Sequence, residues 1–348
     1  MSIAAAPHHA SASQATRSPR RLIAPAAIVL VLTLGLAMSL TLGAVRLPFA
    51  ELWPILTGNG EGAAERIVLH ARLPRALVAL LAGANLAVAG VLLQGVTRNP
   101  LADPGIIGVT AGAGMAATIV LAAFPQAAHA LPLAAFLGAM ASAIFVYAVS
   151  WTPGSAGKGG TSPVRMVLAG VAVNAILGAV IGVLITAFAD RIPAVMFWTA
   201  GSFNGRGWSH LWQVLPYSIV GLTIAYILRS RVRILELGDD TASTMGISVE
   251  RTRLLAFAAA ALLAGSAASV AGLVGFVGLV VPHLVRLAMG SNRLIVPVSA
   301  FAGGAMLLWA DLAARTVFAP SELPVGVVTG LIGGPYFIVL LYKSGWLK

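Results

Sequence analysis

Cysteine is absent from all 348 residues. That excludes a disulfide framework, a thiolate metal site and a cysteine nucleophile. Charge is also scarce: Asp, Glu, Lys and Arg make up 9% of the chain, against about 25% in an ordinary soluble domain. Such a chain cannot cover a water-facing surface. Acid is scarcer than base, with 11 Asp and Glu against 22 Lys and Arg. Almost all the acids lie in loops or at segment ends, and no carboxylate cluster falls inside an apolar run. An ion-coupled secondary transporter usually places acids or histidines near the bilayer midplane, so that class is disfavoured. Gly-x-Ser-x-Gly, His-Glu-x-x-His and a carboxylate dyad are all missing, which leaves an intramembrane enzyme without its chemistry.

Hydrocarbon dominates what is present. Hydrophobic residues are 59% of the chain and mean hydropathy is +0.93, which indicates an all-α integral membrane protein. The 38 Gly and 19 Pro do not oppose that, because neighbouring membrane helices satisfy freed backbone groups. A net charge of +11 raises nucleic acid as a partner, but no basic domain exists to hold it. Positive-inside bias in short loops explains the charge better.

Ten apolar segments are expected as spans: 22–45, 73–96, 106–124, 131–151, 166–188, 211–228, 252–271, 273–288, 294–316 and 325–342. The first is too long for a signal-peptide core of roughly 7–15 residues and suits a span of about 20. It follows a polar tail, 1–21, and the rest, 22–348, forms one membrane domain. With the N-terminus inside, fifteen of the 22 Lys and Arg fall on the inner side. Both termini are then cytoplasmic. The outer loop 46–72 has room for a short surface helix. In the longest inner loop, 229–251, Asp239, Asp240 and Thr241 are expected to cap a short helix that Gly246 ends.

Small residues at i, i+4 let helices approach closely. Gly83, Ala87, Gly90 and Gln94 form one such line, and Gly108/Gly112, Gly178/Gly182 and Gly330/Gly334 form further pairs. All read as packing seams. Gly157-Lys158 fails as a P-loop, because the glycine four residues back is followed by the wrong spacing and Gly159 succeeds the lysine. Any ATP is therefore bound by another chain.

Three strings stand out. The first is Arg72-Leu-Pro-Arg75 through Arg98-Asn-Pro-Leu-Ala-Asp-Pro-Gly105, a helix, a tight polar re-entry and a second helix. The second is Gly275-Phe-Val-Gly-Leu-Val-Val-Pro-His283-Leu-Val-Arg286, with Gly272, Gly275 and Gly278 spaced as a smooth face. The third is Ala310-Asp311 to Arg315, then Glu322-Leu-Pro-Val-Gly, then Gly334-Pro-Tyr-Phe337. Asp311 and Arg315 lie four apart and are expected to pair, since an unpaired charge in a bilayer costs about 2.5–3.5 kcal/mol on insertion scales.

Together these strings resemble the FecCD-type (type II) ABC importer permeases for ferric siderophores, haem and cobalamin, over residues 66–342. The resemblance implies about ten helices, a second permease subunit expected to be a copy of this chain, two ATP-binding cassette subunits that bind ATP and Mg, and a periplasmic substrate-binding protein. It implies an inner-membrane location, no catalytic residue, no cofactor and no metal in this chain, membrane lipid as a contact and no nucleic acid. By the same resemblance Arg72, Arg75 and Arg315 receive the binding protein, although lipid-headgroup anchoring would also suit the first two. Asn99, Leu101, Thr161 and Ser162 form the cytoplasmic gate. Leu237, Gly238, Asp239, Met245 and Gly246 contact the ATPase. The strings Phe197 to Ser202, Gly205 to Trp208 and Gly334 to Ile338 resemble siderophore permeases more than cobalamin ones, and haem stays as the next alternative. Trp198, Trp208 and Trp212 are expected as interfacial belt residues.

Overall fold

Among the described residues of the computed structural model, seven helices are long and apolar enough to cross a membrane, and three shorter apolar helices join them. The structure describes residues 20–153, 160–290 and 293–343. The tail up to residue 19, the Gly157-Lys158 pair and the last five residues lie outside that set. The ten apolar helices are α1 (Arg20–Thr41), α4 (Leu73–Thr97), α5 (Val109–Ala123), α6 (Leu131–Ser150), α7 (Pro163–Ala187), α9 (Trp208–Leu235), α11 (Val249–Ala271), α12 (Val277–Met289), α13 (Ile295–Thr316) and α14 (Val325–Lys343). They correspond one for one to the ten expected segments.

Four short helices fill the connections. α2 (Phe49–Leu56) and α3 (Gly62–Arg66) occupy the long loop after α1. α3 runs through a π-helical turn, Ile67–Arg72, into α4. α8 (Ile192–Thr199) precedes α9, and α10 (Asp239–Thr244) follows it. Two-residue strands β1 (Trp151–Thr152) and β2 (Gly160–Thr161) pair antiparallel between α6 and α7.

α4 is the axis of the bundle, packed by α13, α11, α9 and α12. Its line of small residues is the reason. A Cβ at Gly83 would lie 2.1 Å from the Gly303 carbonyl oxygen, and one at Gly90 would lie 1.9 Å from that of Gly278. Backbone therefore meets backbone on that face. Gly112 meets Gly138 of α6 in the same manner, at 2.3 Å. Polar side chains inside the bundle find internal partners, as hydrocarbon demands. Asn85 donates to Ser218 Oγ at 2.7 Å and Ser266 Oγ at 3.1 Å, tying α4 to α9 and α11. Thr97 and Thr118 donate to carbonyls one turn back in their own helices.

Several local expectations are corrected. Gly178, Gly182, Gly330 and Gly334 have nothing within 4 Å of a Cβ position, so these pairs are not seams within this chain. Of the face expected from Gly272, Gly275 and Gly278, only Gly278 packs within a helix, against α4; Gly272 and Gly275 lie in a break between helices. α11 ends at Ala271 and α12 begins at Val277, with Gly272 at φ +71° and Phe276 at φ +69°. α9 extends to Leu235, so Arg229, Arg231 and Arg233 belong to a helix end rather than a loop. Trp198 is buried and Trp212 is exposed. Trp208 is part-buried, its indole donating to the Leu69 carbonyl at 2.9 Å. Of these three, only Trp212 thus has the exposure of a belt residue.

Candidate functional site

Chemistry-bearing side chains gather at the two opposite ends of α4. At its N-terminal end, Arg72, Arg75, Arg206, Arg315, His70 and Glu322 line a cavity of about 450 Å³. Arg72 is buried and donates to the carbonyls of Leu40 (2.8 Å), Thr41 (2.9 Å) and Val45. It thereby fixes the end of α1 against α4. Arg75 grips Asp311 through Nε (3.2 and 3.1 Å) and Nη2 (2.8 Å) and reaches Glu322 at 3.0 Å. Arg315 donates to Ser39 through the carbonyl (2.6 Å) and the hydroxyl (2.7 Å). The expected Asp311–Arg315 pair is therefore the looser one, at 3.8 Å. Asp311 belongs first to Arg75, 236 positions away in sequence.

Four guanidiniums face two carboxylates, Asp311 and Glu322, around this cavity. Arg206 has no carboxylate partner among the described residues. Burial pushes its pKa below the usual arginine value, and its Nε is buried without an acceptor. Sequence reasoning passed over Arg206, although it stands inside the Gly205 to Trp208 string. The arrangement attracts anionic groups. The three predicted arginines are brought together here, each already engaged within the chain.

At the other end of α4, Arg98 ends the helix in the left-handed region at φ 52°. The turn that follows is closed by Asn99, whose Oδ1 accepts from the Leu101 N–H at 2.9 Å. Asp103 repeats the device on the Gly105 N–H at 2.8 Å. Thr161 sits in β2, and Ser162 caps α7 by accepting from the Arg165 N–H at 3.2 Å. Asp239 does not cap α10, whose N-cap is Gly238 with no side-chain cap bond. It instead receives both oxygens' worth of hydrogen bonds from Arg253, at 2.9 and 3.0 Å. Gly246, at φ +78°, does follow the helix end at Met245. Leu237 and Met245 are 65% and 58% exposed, an apolar pair beside an acidic helix start. No pattern in the sequence marks Glu236, Glu250 or Tyr147, which complete the polar contacts here; Arg286 is visible in its string but had no partner assigned.

Burial of Asp103 raises its pKa to about 6, opposed by the Gly105 N–H bond. A carboxyl whose folded pKa lies above its unfolded value binds its proton more tightly when folded. The protein therefore loses stability as pH rises from 4 through 6, and the deficit is complete above that window. Asp103→Asn keeps an acceptor for Gly105 and removes the charge. It should stabilise the detergent-solubilised protein by about 1–3 kcal/mol at pH 8, and the gain should vanish near pH 4. Thermal melts of both proteins across that range check this; a pH-independent difference would refute it.

Residues 30–343 match the family model described as the FecCD transport family. The ferric enterobactin transport system permease protein FepD of Escherichia coli is 41% identical over 93% of this chain and 96% of its own. The hemin transport system permease protein HmuU of Yersinia pestis is 37% identical over 91% and 93%. The iron(3+)-hydroxamate import system permease protein FhuG of Bacillus subtilis is 35% identical over 94% and 99%. Among solved structures, an inward-facing metal-chelate type ABC transporter superposes with a TM-score of 0.81 at 28% identity, covering 92% of this chain and 98% of that one.

Proposed function

The chain belongs to the FecCD transport family, and on that footing we propose that it is the permease subunit of an ABC importer carrying a ferric siderophore across the inner membrane. The observation that carries this is the 41% identity to an enterobactin permease, extending over nearly the whole of both chains. This subunit performs no chemistry; two partner ATPases bind ATP and Mg and supply the work. The Arg72, Arg75 and Arg315 end faces outward and receives a binding protein, and both termini are cytoplasmic. Net positive charge around that cavity favours acidic side chains on the partner and would speed their encounter. Asn99, Leu101, Thr161 and Ser162 close the path on the inside. Leu237 to Gly246 docks the ATPase, with the exposed Leu237 and Met245 as its apolar contacts.

A second copy completes the path. α7 and α14 present large apolar side chains outward, including Leu168, Ile176, Val183 and Leu331, together with the uncontacted Gly178, Gly182, Gly330 and Gly334. Small residues on an apolar helix face permit close approach by another helix, and none among the described residues uses them. The absence of native cysteine allows a clean test. Single Gly182→Cys and Gly334→Cys variants in native membranes should cross-link to a second copy at one of the two positions, seen as a dimer band. No dimer at either position would refute a homodimer joined through this face.

Substrate is tested by radiolabelled uptake in a deletion strain, comparing ferric siderophores, haem and cobalamin. Loss of ferric siderophore uptake alone, restored by this gene, is the expected result. Loss of haem uptake alone would transfer the reading to the haem class, which the 37% identity to a hemin permease favours next.

A further inference from the structure

The residues between α9 and α10 hold more than a docking surface. Asp239 is bound by Arg253, which is nearly inaccessible on α11. Arg253 also donates through Nη1 to the backbone carbonyl of Thr161. Glu250 lies one turn earlier on α11, 3.4 Å from Arg253 Nη1. It accepts from the Thr161 N–H at 3.1 Å, the Thr161 hydroxyl at 3.0 Å and the Tyr147 hydroxyl of α6 at 2.7 Å. Thr161 is thus clamped on its N–H, its hydroxyl and its carbonyl by two α11 side chains, one of which also holds α10.

Three residues before Asp239, Glu236 accepts from Arg286 of α12 at 3.2 Å. Arg286 donates through its other nitrogen to Gln94 Oε1. The Gln94 amide in turn donates to the carbonyl of Ala102, at 3.4 Å, and to those of Gly278 and Leu279, at 3.2 and 3.3 Å. Ala102 closes the Asn99 turn through its own N–H, 3.1 Å from the Asn99 carbonyl. Arg98, next to that turn, adds a 3.6 Å contact to Asp239.

We infer that Glu236–Asp239 is a yoke that fastens the ATPase-docking helix to both halves of the inner gate, with Arg253 and Arg286 as its positioning residues. One arm runs Asp239–Arg253–Thr161, with Glu250 joining Arg253 to Thr161, and the other runs Glu236–Arg286–Gln94–Ala102. A push on α10 then moves both gate segments together, because charge-assisted hydrogen bonds, anchored on the nearly inaccessible Arg253, resist parting. Spatial connection alone is not coupling, so the test must read motion and not only activity. The inference rests on the docking and gate roles assigned above.

The test uses the complex co-expressed with its ATPase partner and reconstituted in liposomes. Spin labels at Thr244→Cys on α10 and Val164→Cys beside the Thr161 segment give a distance within one chain. Both positions are exposed and the native chain has no cysteine. In the unaltered background that distance should stay single and narrow in nucleotide-free and ATP–vanadate-trapped states. With Arg253→Ala or Glu250→Gln it should broaden or shift on trapping. Chelate imported per ATP hydrolysed should fall on the order of tenfold, while ATP hydrolysis itself persists. Glu250→Gln preserves side-chain shape and decides the matter if Arg253→Ala does not assemble. An unchanged narrow distance and an import ratio within about twofold of the parent would overturn the yoke. A separate Leu237→Asp variant tests the docking role: retained co-purification with the ATPase would sink that role whatever the labels report.

Discussion

Arg75→Ala is expected to destabilise the protein by about 3–5 kcal/mol, the cost of removing one partner from a buried ion pair. Asp311 is 1% exposed and takes three contacts from Arg75, at 2.8 to 3.2 Å. Its remaining cation, Arg315, stands 3.8 Å away and is committed to Ser39. Removing Arg75 therefore leaves a carboxylate with one weak partner. The double variant Arg75→Ala/Asp311→Asn should recover part of the loss, because the orphaned charge goes with its partner. Arg75→Lys should recover less than a full exchange would suggest, since an ammonium cannot reproduce the forked contact to Asp311 and the bond to Glu322 together. Melts of the parent, Arg75→Ala, Asp311→Asn and the double variant in detergent give the cycle. Strict additivity would show that Arg75 and Asp311 do not act as a pair. The same result bears on binding-protein docking. An arginine that holds α4 to α13 cannot be altered without moving the surface it belongs to, so uptake lost in Arg75 variants must be judged against folded protein.

The helices were legible because hydropathy is a local property. Each of the ten needs only its own run of apolar residues, and each appears near its expected place, with α9 running on past the expected end at 228 to Leu235. What was hidden is non-local or depends on where a helix faces. Asp311 has Arg315 one turn away in sequence, and local spacing pairs them; the stronger partner comes from α4, which only the fold brings near. Asp239 has the chemistry of a helix cap, yet Arg253 lies within reach once α10 and α11 pack, and a guanidinium outcompetes a single N–H. A boundary after residue 271 was legible, but the second helix was expected from 273 and begins only at Val277, because Gly272 turns the chain at φ +71° and a Cβ there would meet the Trp198 carbonyl oxygen at 2.3 Å. The site strings were legible as strings. The partners that give them geometry, Glu236, Glu250 and Tyr147, carry no pattern of their own.

Glycine shows the same limit most sharply and yields the second large expected effect. Gly90 and Gly182 both occur at helical spacing from another small residue, and sequence gives them one reading. Gly90→Val should prevent accumulation of folded protein, whereas Gly182→Ala should change the stability of the single subunit by no more than about 0.5–1 kcal/mol, and upward, since alanine is the better helix former. The difference is what each Cβ would meet. At Gly90 it falls 1.9 Å from the Gly278 carbonyl oxygen, and the next atoms, at 2.6 and 2.7 Å, are also Gly278 backbone. Backbone cannot rotate aside, so α4 and α12 must separate. That separation also pulls Gly278 away from the Gln94 amide, leaving polar groups unpaired in the bundle. Overpacking alone costs about 1–3 kcal/mol, and a lost buried hydrogen bond adds about 1–3 kcal/mol more. Even Gly90→Ala should therefore melt well below the parent. At Gly182 no atom stands within 4 Å, so the chain itself has no objection to a methyl group. Membrane-fraction yield and detergent melts distinguish the two positions directly. Equal tolerance at both would mean that α4 and α12 do not meet through Gly90 and Gly278, and the central seam of the bundle would have to be redrawn.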